Sequence, residues 1–157
     1  MASLIKSPGY DGRTDITPIM KVCHAIPVMI VSKATNVRNV KELLAAAREK
    51  PGAIAYGSWG QGTLPHLTMK TVDELAGTSF LNVPYKGLAP ALTDLAGNQV
   101  QIAFVPASIA VQYEQKALST TVATMGERTA LLPDVPSIQE QGLDAPMLRA
   151  TLWTGVV

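Results

Sequence analysis

Apolar positions along this chain alternate between short continuous runs and helical stripes. Between Pro18 and Ser32 lies the run Ala25-Ile26-Pro27-Val28-Met29-Ile30-Val31, rich in β-branched residues. It predicts a buried strand, with Pro27 near its start or on an edge. Val40, Leu43, Leu44 and Ala47 then recur at i, i+3, i+4 and i+7, one face of a helix. Asn36 or Asn39 can cap that helix, and Lys50-Pro51-Gly52 stops it. Three similar units follow. Ala53 to Gly57 reads as a strand, followed by a glycine-rich loop and a helix from about Leu64 to Leu75. Phe80 to Pro84 is the second strand, with a helix from about Pro90 to Ala96. Val100 to Val105 is the third, with a helix after Pro106, and Leu118 to Ala123 adds a further strand. Strand, short loop and helix without hairpin signals predict an α/β fold: a mostly parallel sheet flanked by helices. Right-handed crossovers place all three strand-to-helix loops at one edge of that sheet, where open α/β sheets bind ligands.

Outside this core the pattern loosens. The stretch to about Thr17 is rich in Gly, Asp, Pro and Thr and reads as loop, with Tyr10-Asp11-Gly12-Arg13 as a turn. After Thr124 come a loop at Leu131 to Pro136 and a short helix from Pro136 to Gln141. Leu148 to Val157 is an apolar run with no polar tail after it, and is expected to be cut off.

Composition narrows the classes. The 157 residues suit about one domain with a proper core. Thirteen basic and twelve acidic side chains leave a net charge of +1, which argues against a nucleic-acid binder needing a basic stripe. Charged residues are only 16% and apolar residues 47%. Such an under-charged surface is expected to meet another protein surface, in an oligomer or a complex. The single cysteine, Cys23, excludes an internal disulfide and reads as a buried thiol. Gly, Pro and polar residues interrupt the charge-free stretches, so none reads as a membrane span.

The richest chemistry lies in Tyr56-Gly57-Ser58-Trp59-Gly60-Gln61-Gly62-Thr63-Leu64-Pro65-His66-Leu67. Three glycines between strand and helix let backbone amides face a ligand, and Thr63 with Pro65 marks a helix start. Free N–H groups at such a start make a seat for an anion. A tight turn with no ligand is the plain alternative. Nucleotide readings fail: Thr63 stands where a P-loop needs Lys, and Pro65 where a dinucleotide fingerprint needs Gly, so no cofactor is called for. A hydrolase reading is incomplete, because Tyr56 replaces the first glycine of a nucleophile elbow around Ser58. His66 and His24, the only histidines, have no orienting acid at a telling spacing. In the second loop Lys86 could neutralise a carboxylate, although a lysine after a strand is more often merely solvated; in the third, Ser108 offers a helix cap or a ligand donor, the cap being the better reading.

These residues together resemble the tripartite tricarboxylate transporter receptor family, the Bug-type extracytoplasmic solute receptors. The resemblance rests on Tyr56-Gly57-Ser58, Gly60, Gly62, Thr63 and His66-Leu67, then Val83-Pro84-Tyr85-Lys86-Gly87. Ala89 to Leu95, Leu132-Pro133-Asp134-Val135-Pro136 and Tyr10-Asp11…Asp15…Thr17-Pro18 extend it in family order. It implies one lobe of a two-lobed periplasmic binding protein (type II), the second lobe only. On that basis residues 18–147 form the ligand-binding lobe, and residues 1–17 and 148–157 cross to the missing first lobe. The family binds a small carboxylate between lobes and delivers it to membrane permease subunits, with no catalytic, metal or cofactor chemistry. Its ligand donors carry over by position to Ser58, Gly60, Gln61, Gly62, Thr63 and His66; Tyr85, Lys86 and Gly87 match by motif. Trp59 departs from the smaller residue usual there, which bears on pocket shape. Two other classes stay open: a ligand-sensing module of the same fold that signals to a partner protein, and a hydrolase using Ser58 and His66.

Overall fold

The computed structural model describes Gly9, Asp11 and residues 14–156. Its strands are β1 (Met20–Ala25), β2 (Pro27–Ser32), β3 (Ala55–Ser58), β4 (Leu81–Pro84), β5 (Ile102–Pro106), β6 (Ser119–Thr124) and β7 (Leu152–Val156). The helices are α1 (Val40–Glu49), α2 (Leu64–Ala76), α3 (Leu88–Ala96) and α4 (Ala107–Gln115). Five strands form one sheet in the order β4-β3-β5-β2-β6, and β1 and β7 form a separate two-stranded ribbon. Four of the five run the same way. β3 is parallel to β4 and β5, whereas β2 is antiparallel to both β5 and β6. The sheet is therefore mixed, with one reversed strand inserted between parallel neighbours.

β2 and β5 read as continuous apolar runs because both of their faces are covered. Met29, Val31, Ile102 and Phe104 face a core completed by α1, α2, Ile138, Leu143 and Leu148. Val28, Ile30, Ala103 and Val105 face the opposite core, filled by Leu92 and Leu95 of α3 and Ala107 and Ala110 of α4. The stripe expected on α1 is the one it buries: Val40, Leu43, Leu44 and Ala47. Asn39 is its cap. The Asn39 carboxamide oxygen accepts from Glu42 N at 2.9 Å, and the Glu42 carboxylate reaches back to accept from Arg38 N at 2.8 Å. Asn39→Ala is expected to cost about 1 kcal/mol of stability, measured by urea denaturation.

Several expectations are corrected. Residues 136–141 form no helix. Instead Ser137 bridges to Thr124 beside β6, and Ile138 N donates to Thr124 O at 2.9 Å, so pairing with the strand wins over helix formation. Ser137 and Glu140 cap each other, and Glu140 also holds Arg128 at 3.0 Å. Cys23 is exposed, not buried, because β1 lies outside the main sheet. The chain breaks at Ile26, so the run from Ala25 is shared between two strands, and Pro27 opens β2 as expected. The turn expected at residues 10–13 lies outside the described residues except for Asp11, whose carbonyl accepts from Thr14 N and Asp15 N.

The ion pair has a pH consequence. Arg128 first, and then Ser137 N, lower the Glu140 carboxyl from 4.5 to about 2. A depressed carboxyl contributes stability that is complete above its unfolded value and fades as pH falls from there toward 2. A shallow acid loss of stability over that window is expected, smaller at high salt because the pair is exposed. Glu140→Gln should flatten it in an acid titration followed by thermal melting.

Candidate functional site

The loops leaving β3, β4 and β5 share one edge of the sheet, because these three strands are parallel. β3 and β5 are adjacent, but their outgoing helices lie on opposite faces: α2 packs in the first core and α4 in the second. In open α/β sheets such a divergence of neighbouring connections marks the crevice edge, here at the switch point between residues 59–63 and residues 106–108.

Helix capping differs between the two edges. α1 starts at the far edge with the Asn39 cap and the acidic Glu42 in its first turn. α2, α3 and α4 start at the crevice edge, and each lacks both a side-chain cap and a first-turn acid. The positive ends of three helices are thus left without a side-chain cap along one edge of the sheet.

The glycine loop is shaped from within. Gly60 and Gly62 adopt φ of 108° and 76°, a region that side chains other than glycine rarely enter. Gly60 N donates to Ser58 Oγ at 3.3 Å, and the Thr63 hydroxyl donates to Gly60 O at 2.7 Å. Gly62 N donates to His66 Nδ1 at 3.2 Å, which leaves Nε2 as the ring's remaining donor. Thr63 occupies the cap position of α2, but its hydroxyl turns back into the loop. Ser58 is fully buried and organises the loop, Gln61 is exposed, and Gly62, Thr63 and His66 are half-buried.

The second loop sits beside the first. Tyr85 N donates to Ser58 O at 2.7 Å, and its hydroxyl donates to Asp94 Oδ2 at 2.7 Å. Burial first, and then the Asp94 bond, push the Tyr85 phenol up to about 12. Lys86 is exposed, and Gly87 is the cap residue of α3. Thus the structure brings all nine expected residues to one edge. Ser108, expected as a cap, is instead the second residue inside α4; Pro106 holds the cap position.

Sequence reasoning missed the neighbours that complete this edge. A cavity of about 330 Å³ is lined by His24, Ile26, Pro106, Ala107, Ser108 and Leu131, among others. A second, of about 510 Å³, gathers Lys21, His24, Ile26, Gly126, Glu127 and Arg149. These residues come from strand ends far apart in sequence, and no spacing links them. Among the described residues, no cluster of His, Cys, Asp or Glu could hold a metal, and no helix is long and apolar enough to cross a membrane.

An open α/β sheet with an anion-friendly switch point defines the class, one lobe of a periplasmic-binding-protein-like fold. The chain belongs to the tripartite tricarboxylate transporter receptor family, whose model matches residues 4–157. This is a receptor family and not an enzyme class. It is 32% identical over 151 residues to a UPF0065 protein from the tcbD–tcbE intergenic region of Pseudomonas sp. (strain P51). That match covers 94% of this chain and 44% of the relative. Among solved structures, the periplasmic binding protein BugD superposes with a TM-score of 0.84 at 29% identity, over 96% of this chain and 50% of BugD. R. palustris Rpa4515, solved with adipate, gives 0.82 at 28% identity, over 94% of this chain and 49% of that one. The chain spans about half the length of the relatives it matches.

Proposed function

We propose that this chain is the ligand-binding lobe of a periplasmic solute receptor, which closes with a first lobe over a small carboxylate and hands it to a membrane permease. The observation that carries the reading is the set of three uncapped helix starts along one edge of the sheet, two of them flanking the switch point, against the capped α1 at the far edge. A carboxylate supplies the negative charge that those starts lack. The amides of Gln61, Leu64 and His66 form the seat, because those of Gly60, Gly62 and Thr63 already donate within the loop, and the His66 Nε2 proton and the Lys86 ammonium stand beside it. The adipate bound to Rpa4515 supports this ligand class. Residues 18–147 then make up the lobe, and residues 1–17 and 148–157 lead to the other. The exposed apolar side chains of the ribbon, Met20, Val22, Trp153 and Val156, with Ile19 just before it, suit a surface that the first lobe covers.

A lone lobe leaves its seat open to water, and enclosure by two lobes is what dries such a site. Two or three charge-assisted bonds, less the cost of association, leave binding near the millimolar level, about −4 kcal/mol. Calorimetry with citrate, succinate, glutamate and adipate tests this on the chain as it stands. Sub-micromolar binding would overturn the two-lobe reading, and no binding by any of the four would remove the carboxylate seat. Release of a generic ester product, lost in Ser58→Ala, would favour the hydrolase instead. Carboxylate binding that recruits a signalling protein rather than a permease would favour the sensor.

A further inference from the structure

Tyr85 stands among the candidate ligand residues, yet its hydroxyl and its amide are both engaged inside the protein. Its hydroxyl is held by Asp94 of α3 at 2.7 Å, and its amide by the carbonyl of Ser58 at 2.7 Å. Its ring lies against Gly57: a Cβ placed there would stand 3.5 Å from Tyr85 Cε2 and 3.1 Å from Ala91 Cβ. Glycine at 57 thus makes room for the ring and for α3 behind it. Ser58 continues the chain of contacts, since its hydroxyl accepts from Gly60 N at 3.3 Å. Three hydrogen bonds therefore run without a gap from Asp94 through Tyr85 and Ser58 to the glycine loop.

We infer that Tyr85 is a positioning residue, a strut that with Asp94 sets the glycine loop against the start of α3, and that it does not itself touch ligand. The inference rests on the carboxylate seat proposed above, but its geometry can be tested without ligand. The raised Tyr85 phenol fits this role, because the group keeps its proton and stays a donor to Asp94 throughout the neutral range. Asp94 in turn lies nine residues further on, in the last turn of α3, so the strut grips the helix away from its open end.

Amide hydrogen exchange by NMR is the direct measurement, on the wild type, Tyr85→Phe, Asp94→Ala and Asp94→Asn. In Tyr85→Phe and Asp94→Ala, exchange at Gly60 and Gly62 is expected to rise several-fold, with Leu43 of α1 unchanged. Asp94→Asn keeps an acceptor oxygen and should restore most of the protection. No change at Gly60 and Gly62, or an equal rise at Leu43, would overturn the strut, the second by showing only global destabilisation. Adipate titration adds a second arm. Both Tyr85→Phe and Asp94→Ala should weaken adipate by a similar factor, and the double variant by no more than either. If Tyr85→Phe loses adipate while Asp94→Ala keeps it, the hydroxyl is a ligand donor and the strut is wrong. A wild type that binds no adipate would remove the seat, and the exchange data alone would then decide the strut.

Discussion

Ile30→Ala is expected to lower the unfolding free energy by about 2–5 kcal/mol, a large part of the roughly 5–15 kcal/mol a domain of this kind has. Ile30 is 0% exposed on β2, the strand paired on both sides, and faces the core built by α3 and α4. Truncation there leaves a cavity between sheet and helices that cannot close without moving an interior strand. Leu81 offers the contrast. It is 54% exposed on β4, at the sheet edge, and Leu81→Ala should change stability by less than about 0.5 kcal/mol. Urea denaturation of both variants checks the pair. A small effect at Ile30 would mean that β2 is not an interior strand of the sheet.

Central strands were legible in the sequence because burial on both faces writes itself as an apolar run. The α1 face was legible because a one-sided stripe at helical spacing has few other uses. The shape of the glycine loop was legible too, since glycines between a strand and a helix mark the positive φ that Gly60 and Gly62 adopt. Three things were not. The reversed direction of β2 leaves no local mark, because a strand buried on both faces reads alike in either direction. The ribbon was hidden because β1 mixes Lys21 and His24 with exposed Met20 and Val22, so neither alternation nor a clean run appears. Residues 136–141 carry a real helix-start signal, Ser137 with Glu140 three places on, yet the turn is captured by Thr124 of β6 before a helix can extend. At the candidate site, the residues near in sequence were found, and the strand ends that converge on them, Ile26 and Gly126 among them, were not.

Gly62→Val is expected to push adipate binding below detection, at least tenfold weaker than the wild-type lobe. At φ of 76° a β-branched side chain is strained, so the loop must turn. In turning, it takes the Gly62 amide off His66 and swings the neighbouring donors away from the seat. The strain alone, about 1–3 kcal/mol, also lowers stability, so loss of binding needs a control. Gly52 provides one. Its φ is likewise 76°, and it lies between α1 and β3, at the opposite edge of the sheet. Gly52→Val should therefore lose a similar amount of stability and keep adipate binding, which separates a disturbed seat from a weakened fold. Thr63→Val should fall between the two in affinity, because it loses the hydroxyl that closes the loop onto Gly60 but keeps the backbone donors. Calorimetry with adipate, alongside thermal melts of all three variants, makes the comparison. Wild-type affinity in Gly62→Val would move the seat away from this loop, toward the cavity bounded by Lys21, His24 and Arg149.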